Sequence, residues 1–176
     1  MKREPLLTIS AIGLLTGCIL GMAGSFVPDA ITRNVLWAID SCGLILAAAL
    51  LALYLSKKGH DIAAAGFIVF AIAESIVFLS CAVDVTQNIP AFGTGACLWA
   101  LALGTVSTQK VFPLFVRCTG AIAAVLFVVT AFSIFTGHPL TALTKPLPFF
   151  AYPFYAATLA GWAWTLLYRH NKLAGK

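Results

Sequence analysis

Long apolar runs separated by short polar breaks organise this chain. Six of them occur, at 7–27, 35–55, 62–83, 91–107, 111–135 and 147–168. A helix needs roughly 20 apolar residues to cross about 30 Å of hydrocarbon. A transmembrane barrel would instead alternate apolar and polar positions over segments of about ten. The runs are continuous, so the pattern predicts an all-α, polytopic transmembrane helix bundle of about six spans. The fourth run is the shortest. The breaks carry helix-stopping chemistry: Pro28-Asp29, Lys57-Lys58-Gly59-His60-Asp61, Asn88-Ile89-Pro90 and Gly137-His138-Pro139. No polar stretch is long enough for a soluble unit, so residues 1–176 are expected to form a single transmembrane domain.

Composition agrees with this pattern. Of 176 residues, 61% are hydrophobic and 10% charged, and the mean hydropathy is +0.98. Soluble domains carry about a quarter charged residues. A soluble fold of this size would expose much of its apolar excess to water, whereas lipid removes that cost. The bilayer is therefore the first expected partner.

Charge orients the bundle. With the N-terminus in the cytoplasm, the inner side carries Lys2, Arg3, Lys57, Lys58, Lys110, Arg169, Lys172 and Lys176, and the outer side only Arg33 and Lys145. Eight against two is a strong positive-inside bias. It places both termini in the cytoplasm, which requires an even number of spans. The net charge of +5 thus reads as topology and anionic-lipid contact, not as a nucleic-acid surface. In the sixth span, Phe149, Phe150, Tyr152, Phe154 and Tyr155 are expected at the outer interface, and Trp162, Trp164 and Tyr168 at the inner one.

The first run admits a second reading. Met1-Lys2-Arg3 before an apolar stretch resembles a signal peptide, and Leu15-Thr16-Gly17-Cys18 resembles a bacterial lipobox. The apolar run continues past Cys18 to Val27, where a lipoprotein would turn polar, and this favours a plain first span.

Small residues mark close helix contacts. Gly13, Gly17 and Gly21 lie four apart, hence on one helix face, and glycine lets two backbones approach. Ala96, Ala100 and Gly104, and the pair Ala157 and Gly161, repeat the spacing. Packing within the bundle and a homo-oligomer interface through the first helix both fit. Pro153 kinks the sixth helix if that helix starts near Leu147, and is an ordinary first-turn residue if it starts near Pro153. The short span from Pro153 to Tyr168 favours the kink.

Charges inside the spans are costly and mark functional sites. Asp40, Glu74 and Arg117 are the three. Asp40 lies 18 residues before Lys58 and Glu74 lies 16 after it, so the hairpin of spans two and three puts both at nearly one depth. Serines follow each, Ser41 and Ser75. Two carboxyls facing one another would share a proton or hold a cation. Otherwise Asp40 reaches headgroup water and Glu74 is a hydrogen-bonded acid within the bundle. Arg117 either snorkels to the inner surface or reaches toward Glu74, about 9 Å further along the normal.

Five cysteines, Cys18, Cys42, Cys81, Cys97 and Cys118, fall one per span in the first five spans. None forms Cys-x-x-Cys, so they read as small packing residues and no metal site is expected. His60, His138 and His170 lie outside the spans, which argues against a bis-histidine haem. No nucleotide-binding or hydrolase motif occurs, and no cofactor is expected.

The segment Pro148-Phe149-Phe150-Ala151-Tyr152-Pro153-Phe154, with Gly161-Trp162-Ala163-Trp164, resembles the last helix of uncharacterised small bacterial six-helix integral membrane proteins. The resemblance extends to Trp37-Ala38-Ile39-Asp40 and the Glu74 run. It implies a multi-pass protein of the bacterial inner membrane, and no activity.

Two classes of function follow. The first is binding or transport of a small solute or proton through a cavity at Glu74 and Asp40, with Ser41, Ser75 and Arg117 as further candidates. The second is a scaffold, regulator or accessory subunit of a membrane complex. An enzyme ranks third, because candidate nucleophiles and metal ligands are few. A protein of this size is expected to act as a homo-oligomer or with a membrane partner.

Overall fold

The structure is a computed structural model that describes residues 5–83 and 88–168. It is all-helical: α1 (Pro5–Gly24), α2 (Ala30–Lys57), α3 (Asp61–Val83), α4 (Ile89–Thr108), α5 (Leu114–Phe135) and α6 (Ala151–Tyr168). The first five are long and apolar enough to cross a membrane. α6 has 18 residues, about 27 Å, and is the shortest. Lys2, Arg3, Arg169, His170, Lys172 and Lys176 lie outside the described residues.

Local chemistry sets the boundaries. α2 starts five residues before the apolar run at Val35, because the Asp29 carboxylate accepts the Thr32 amide at 2.7 Å and caps the first turn. Hydrogen bonds from Thr32 hold that carboxyl below the usual aspartate range. At the other end of α2, Gly59 takes φ +76°, and the amides of Gly59 and His60 return to Ser56 O and Leu55 O. α5 starts at Leu114 rather than Val111, after Pro113. α6 starts at Ala151, not Leu147. Pro153 is therefore its third residue, in the turn whose amides have no helical partner, and the expected kink is not formed. Residues 138–150 run as turns, with the Thr144 hydroxyl accepting the Thr141 amide at 2.8 Å.

Each helix packs on its neighbours in sequence, and α6 closes on α1, so the six form a ring. The glycine ridge of α1 faces α2. Gly13 lies against the Gly43 carbonyl, Gly17 against Leu44 and Gly21 against Asp40; a Cβ at these three would come within 2.4–2.7 Å of its neighbour. The ridge is thus covered within the chain. Gly104 faces Ala124 of α5 and Gly161 faces Val116. α1 continues unbroken through Cys18, whose thiol donates to Ala156 O of α6.

Outside, the ring is greasy: Ile31, Leu114 and Phe132 are 77%, 70% and 67% exposed. Inside, aromatic side chains fill the half toward the α2–α3 turn. Trp162 meets Phe67, Phe70 and Phe112 with centroids 4.8–6.0 Å apart. This corrects the expected aromatic belt. Trp162 and Tyr155 are buried and belong to the core, because α6 presents Tyr155, Leu159, Trp162 and Leu166 as one inward stripe. Phe150, Phe154, Trp164 and Tyr168 do face outward.

Candidate functional site

The half of the ring away from the aromatic plug holds a cavity of about 60 Å³. That is room for on the order of four to six waters. Its walls come from the C-terminal part of α1, the N-terminal part of α2, the C-terminal half of α3, Trp99 of α4 and the start of α6. Ser25 and Ala142, in the α1–α2 and α5–α6 connections, also line it, so it extends to the loop end of the bundle.

Asp40 and Glu74 both line this cavity. The matched depths of the two hairpin positions bring them there, and their helical phase turns both inward. Glu74 is 2% exposed. Its Oε1 accepts the Trp99 indole N–H at 2.8 Å and the Tyr155 hydroxyl. Both donors reach one oxygen, leaving Oε2 without a donor among the described residues. Asp40 is 8% exposed and differs. Its Oδ1 is buried with no hydrogen-bond partner among the described residues. Burying an unpartnered carboxyl is costly, and such a group is stabilised by whatever supplies the missing partner. Among the described residues, no Lys, Arg or His lines the cavity.

The other expected site residues divide. Ser41 is buried and lines the cavity. Ser75 does not: one helical step beyond Glu74 turns it outward, where its hydroxyl donates to Ala71 O. Arg117 neither lines the cavity nor approaches Glu74. Its Nε donates to Ser107 O at 2.7 Å and its Nη2 lies 3.5 Å from Thr108 O, so it caps the last turn of α4. A cation is favoured there because the final carbonyls of a helix lack amide partners. Among the cysteines, Cys81 is buried, whereas Cys42, Cys97 and Cys118 lie on the exterior and do not pack the core as expected. All five are free. Among the described residues, no three His, Cys, Asp or Glu side chains cluster as a metal site.

The sequence reading missed Trp99, Tyr155 and Tyr152. The signal for the tyrosines was the three-and-four spacing of Tyr152, Tyr155, Leu159 and Trp162, which marks one face. Tyr152 ties α6 to the loop before it: its hydroxyl donates to Ala142 O at 2.8 Å, across ten residues. Tyr152→Phe is expected to cost about 1 kcal/mol. It should also speed hydrogen exchange in residues 138–150, read by mass spectrometry of the detergent-solubilised protein; unchanged exchange would mean the bond does not hold the loop. No family model, curated protein or solved structure matches this chain.

Proposed function

We propose that this chain is a multi-pass protein of a cell membrane that binds a small cationic solute or a proton between Asp40 and Glu74 and carries it across the bilayer. The excess of Lys and Arg at the termini and in two of the connections favours cytoplasmic termini, and in that orientation the loop end, with the cavity, lies on the outer face. The observation that carries this reading is the buried, unpartnered Asp40 Oδ1 in one cavity with Glu74. The lipid setting rests on five apolar helices and on large aliphatic side chains exposed around the ring.

Binding from the outer end needs no rearrangement of the core. Passage to the inner end requires Phe67, Phe70, Phe112 and Trp162 to give way, because they fill the other half of the ring. A closed path on one side of a loaded site is what alternating access demands.

The test is flux into liposomes containing the purified protein, followed for protons, sodium and tetramethylammonium. At least one is expected to exceed protein-free vesicles. Asp40→Asn and Glu74→Gln are each expected to cut that flux about tenfold or more, since each removes a buried acid that could ionise against a cation or hold the proton. Flux equal to protein-free vesicles for all three, or equal flux in the parent and both variants, would remove the proposal.

A further inference from the structure

The composition of the cavity wall narrows the class of cation. A hard inorganic ion surrounds itself with six or more oxygens, or keeps its waters. The wall supplies few that can carry charge, only those of Asp40 and Glu74. The Tyr155 hydroxyl donates to Glu74, the Tyr152 hydroxyl to Ala142 O and the Ser25 hydroxyl to Gly21 O, so each can offer only a neutral lone pair, and one Glu74 oxygen already holds two donors. The chargeable oxygens without a donor among the described residues are those of Asp40 and the second oxygen of Glu74, and Ser41 shares their wall. Most of the rest of the wall is carbon, with Trp37, Trp99, Tyr152, Tyr155, Phe78 and Met22 as its large members. Aromatic walls attract a positively charged ligand that carries its own apolar surface, and do so best when water is excluded. One buried carboxyl with an aromatic enclosure suits a ligand that is charged at one atom and greasy around it.

We infer that the cavity is a site for a small organic ammonium ion of about four to five heavy atoms, its charged nitrogen against Asp40 and its carbons against the aromatic wall. This rests on the binding role proposed above and specifies its ligand. The size follows from the 60 Å³ of space, about four to six water-sized positions. The two acids divide the work. Asp40 meets the ligand, because it is the carboxyl without a partner. Glu74 is held by Trp99 and Tyr155 in a fixed position on the same wall.

Binding is read from intrinsic tryptophan fluorescence, since two of the four tryptophans, Trp37 and Trp99, line the cavity. The protein in mild detergent is titrated with tetramethylammonium, isopropylammonium and sodium chlorides at matched ionic strength. The organic cations are expected to give a saturable change that sodium does not. Asp40→Asn is expected to raise the midpoint about tenfold or more. Gly21→Ala supplies a second variant, because its new Cβ would lie 2.7 Å from Asp40 Oδ2 and force that carboxyl to shift. It should weaken tetramethylammonium, whose charge is enclosed by four methyl groups, more than isopropylammonium. An equal response to sodium, no saturable response, or midpoints unmoved in both variants would overturn the inference. Acid-dependent proton or sodium flux alongside such a result would leave the transport reading standing and remove only the organic ligand. Absence of flux for every ion would remove both.

Discussion

Glu74→Leu is expected to destabilise the bundle by about 3–5 kcal/mol, whereas Glu74→Gln should cost about 1. The difference comes from counting donors. The Trp99 N–H and the Tyr155 O–H both end on Glu74 Oε1, which is buried inside the ring. Leucine matches the volume and leaves both donors unpaired, each at about 1–3 kcal/mol. Glutamine keeps a carbonyl oxygen in the same place and can accept both. Melting of the two variants in mild detergent, followed by near-ultraviolet dichroism, separates them. A leucine variant as stable as the glutamine variant would show that Glu74 does not anchor α4 and α6 to α3. The pair also protects the flux assay, since lost transport in a folded Glu74→Gln protein is not lost structure.

The second large effect is expected at Gly13. A Cβ there would stand 2.5 Å from the Gly43 carbonyl oxygen and 3.0 Å from Ala47 Cβ. The first contact is backbone and cannot rotate aside, so α1 and α2 must separate along the ridge. Gly13→Val should cost about 2–3 kcal/mol, at the upper end for an overpacked core. Gly104→Ala is the matched control. Its Cβ would meet Ala124 Cβ at 4.0 Å, an ordinary contact. It should be neutral or stabilising by about 0.5–1 kcal/mol, because alanine is the better helix former. Equal melting of the two variants would contradict the close approach of α1 and α2.

The helices and their breaks were legible because both are local. Continuous apolar runs mark helices, and Asp29, Gly59 and Pro90 act within one turn of where they stand. The error at α6 was local as well. Aromatics from Phe149 to Tyr155 looked like an interfacial belt by composition, but their periodicity turns Tyr155 inward. The partners of Arg117 could not be read, because they are carbonyls at the end of another helix, and carbonyls leave no mark in a sequence.

By itself, then, the sequence determined a chain too apolar for water, its division into six helical runs, and the matching depths of Asp40 and Glu74. Depth follows from counting residues at a fixed rise along the helix. Only the tertiary structure decided rotation and neighbours: that Asp40 and Ser41 face the cavity while Ser75 does not, that the glycine ridge is used against α2, and that Trp99 and Tyr155 converge on Glu74. Facing depends on how six helices close into a ring, and that closure is set by contacts between residues as far apart as Glu74 and Tyr155.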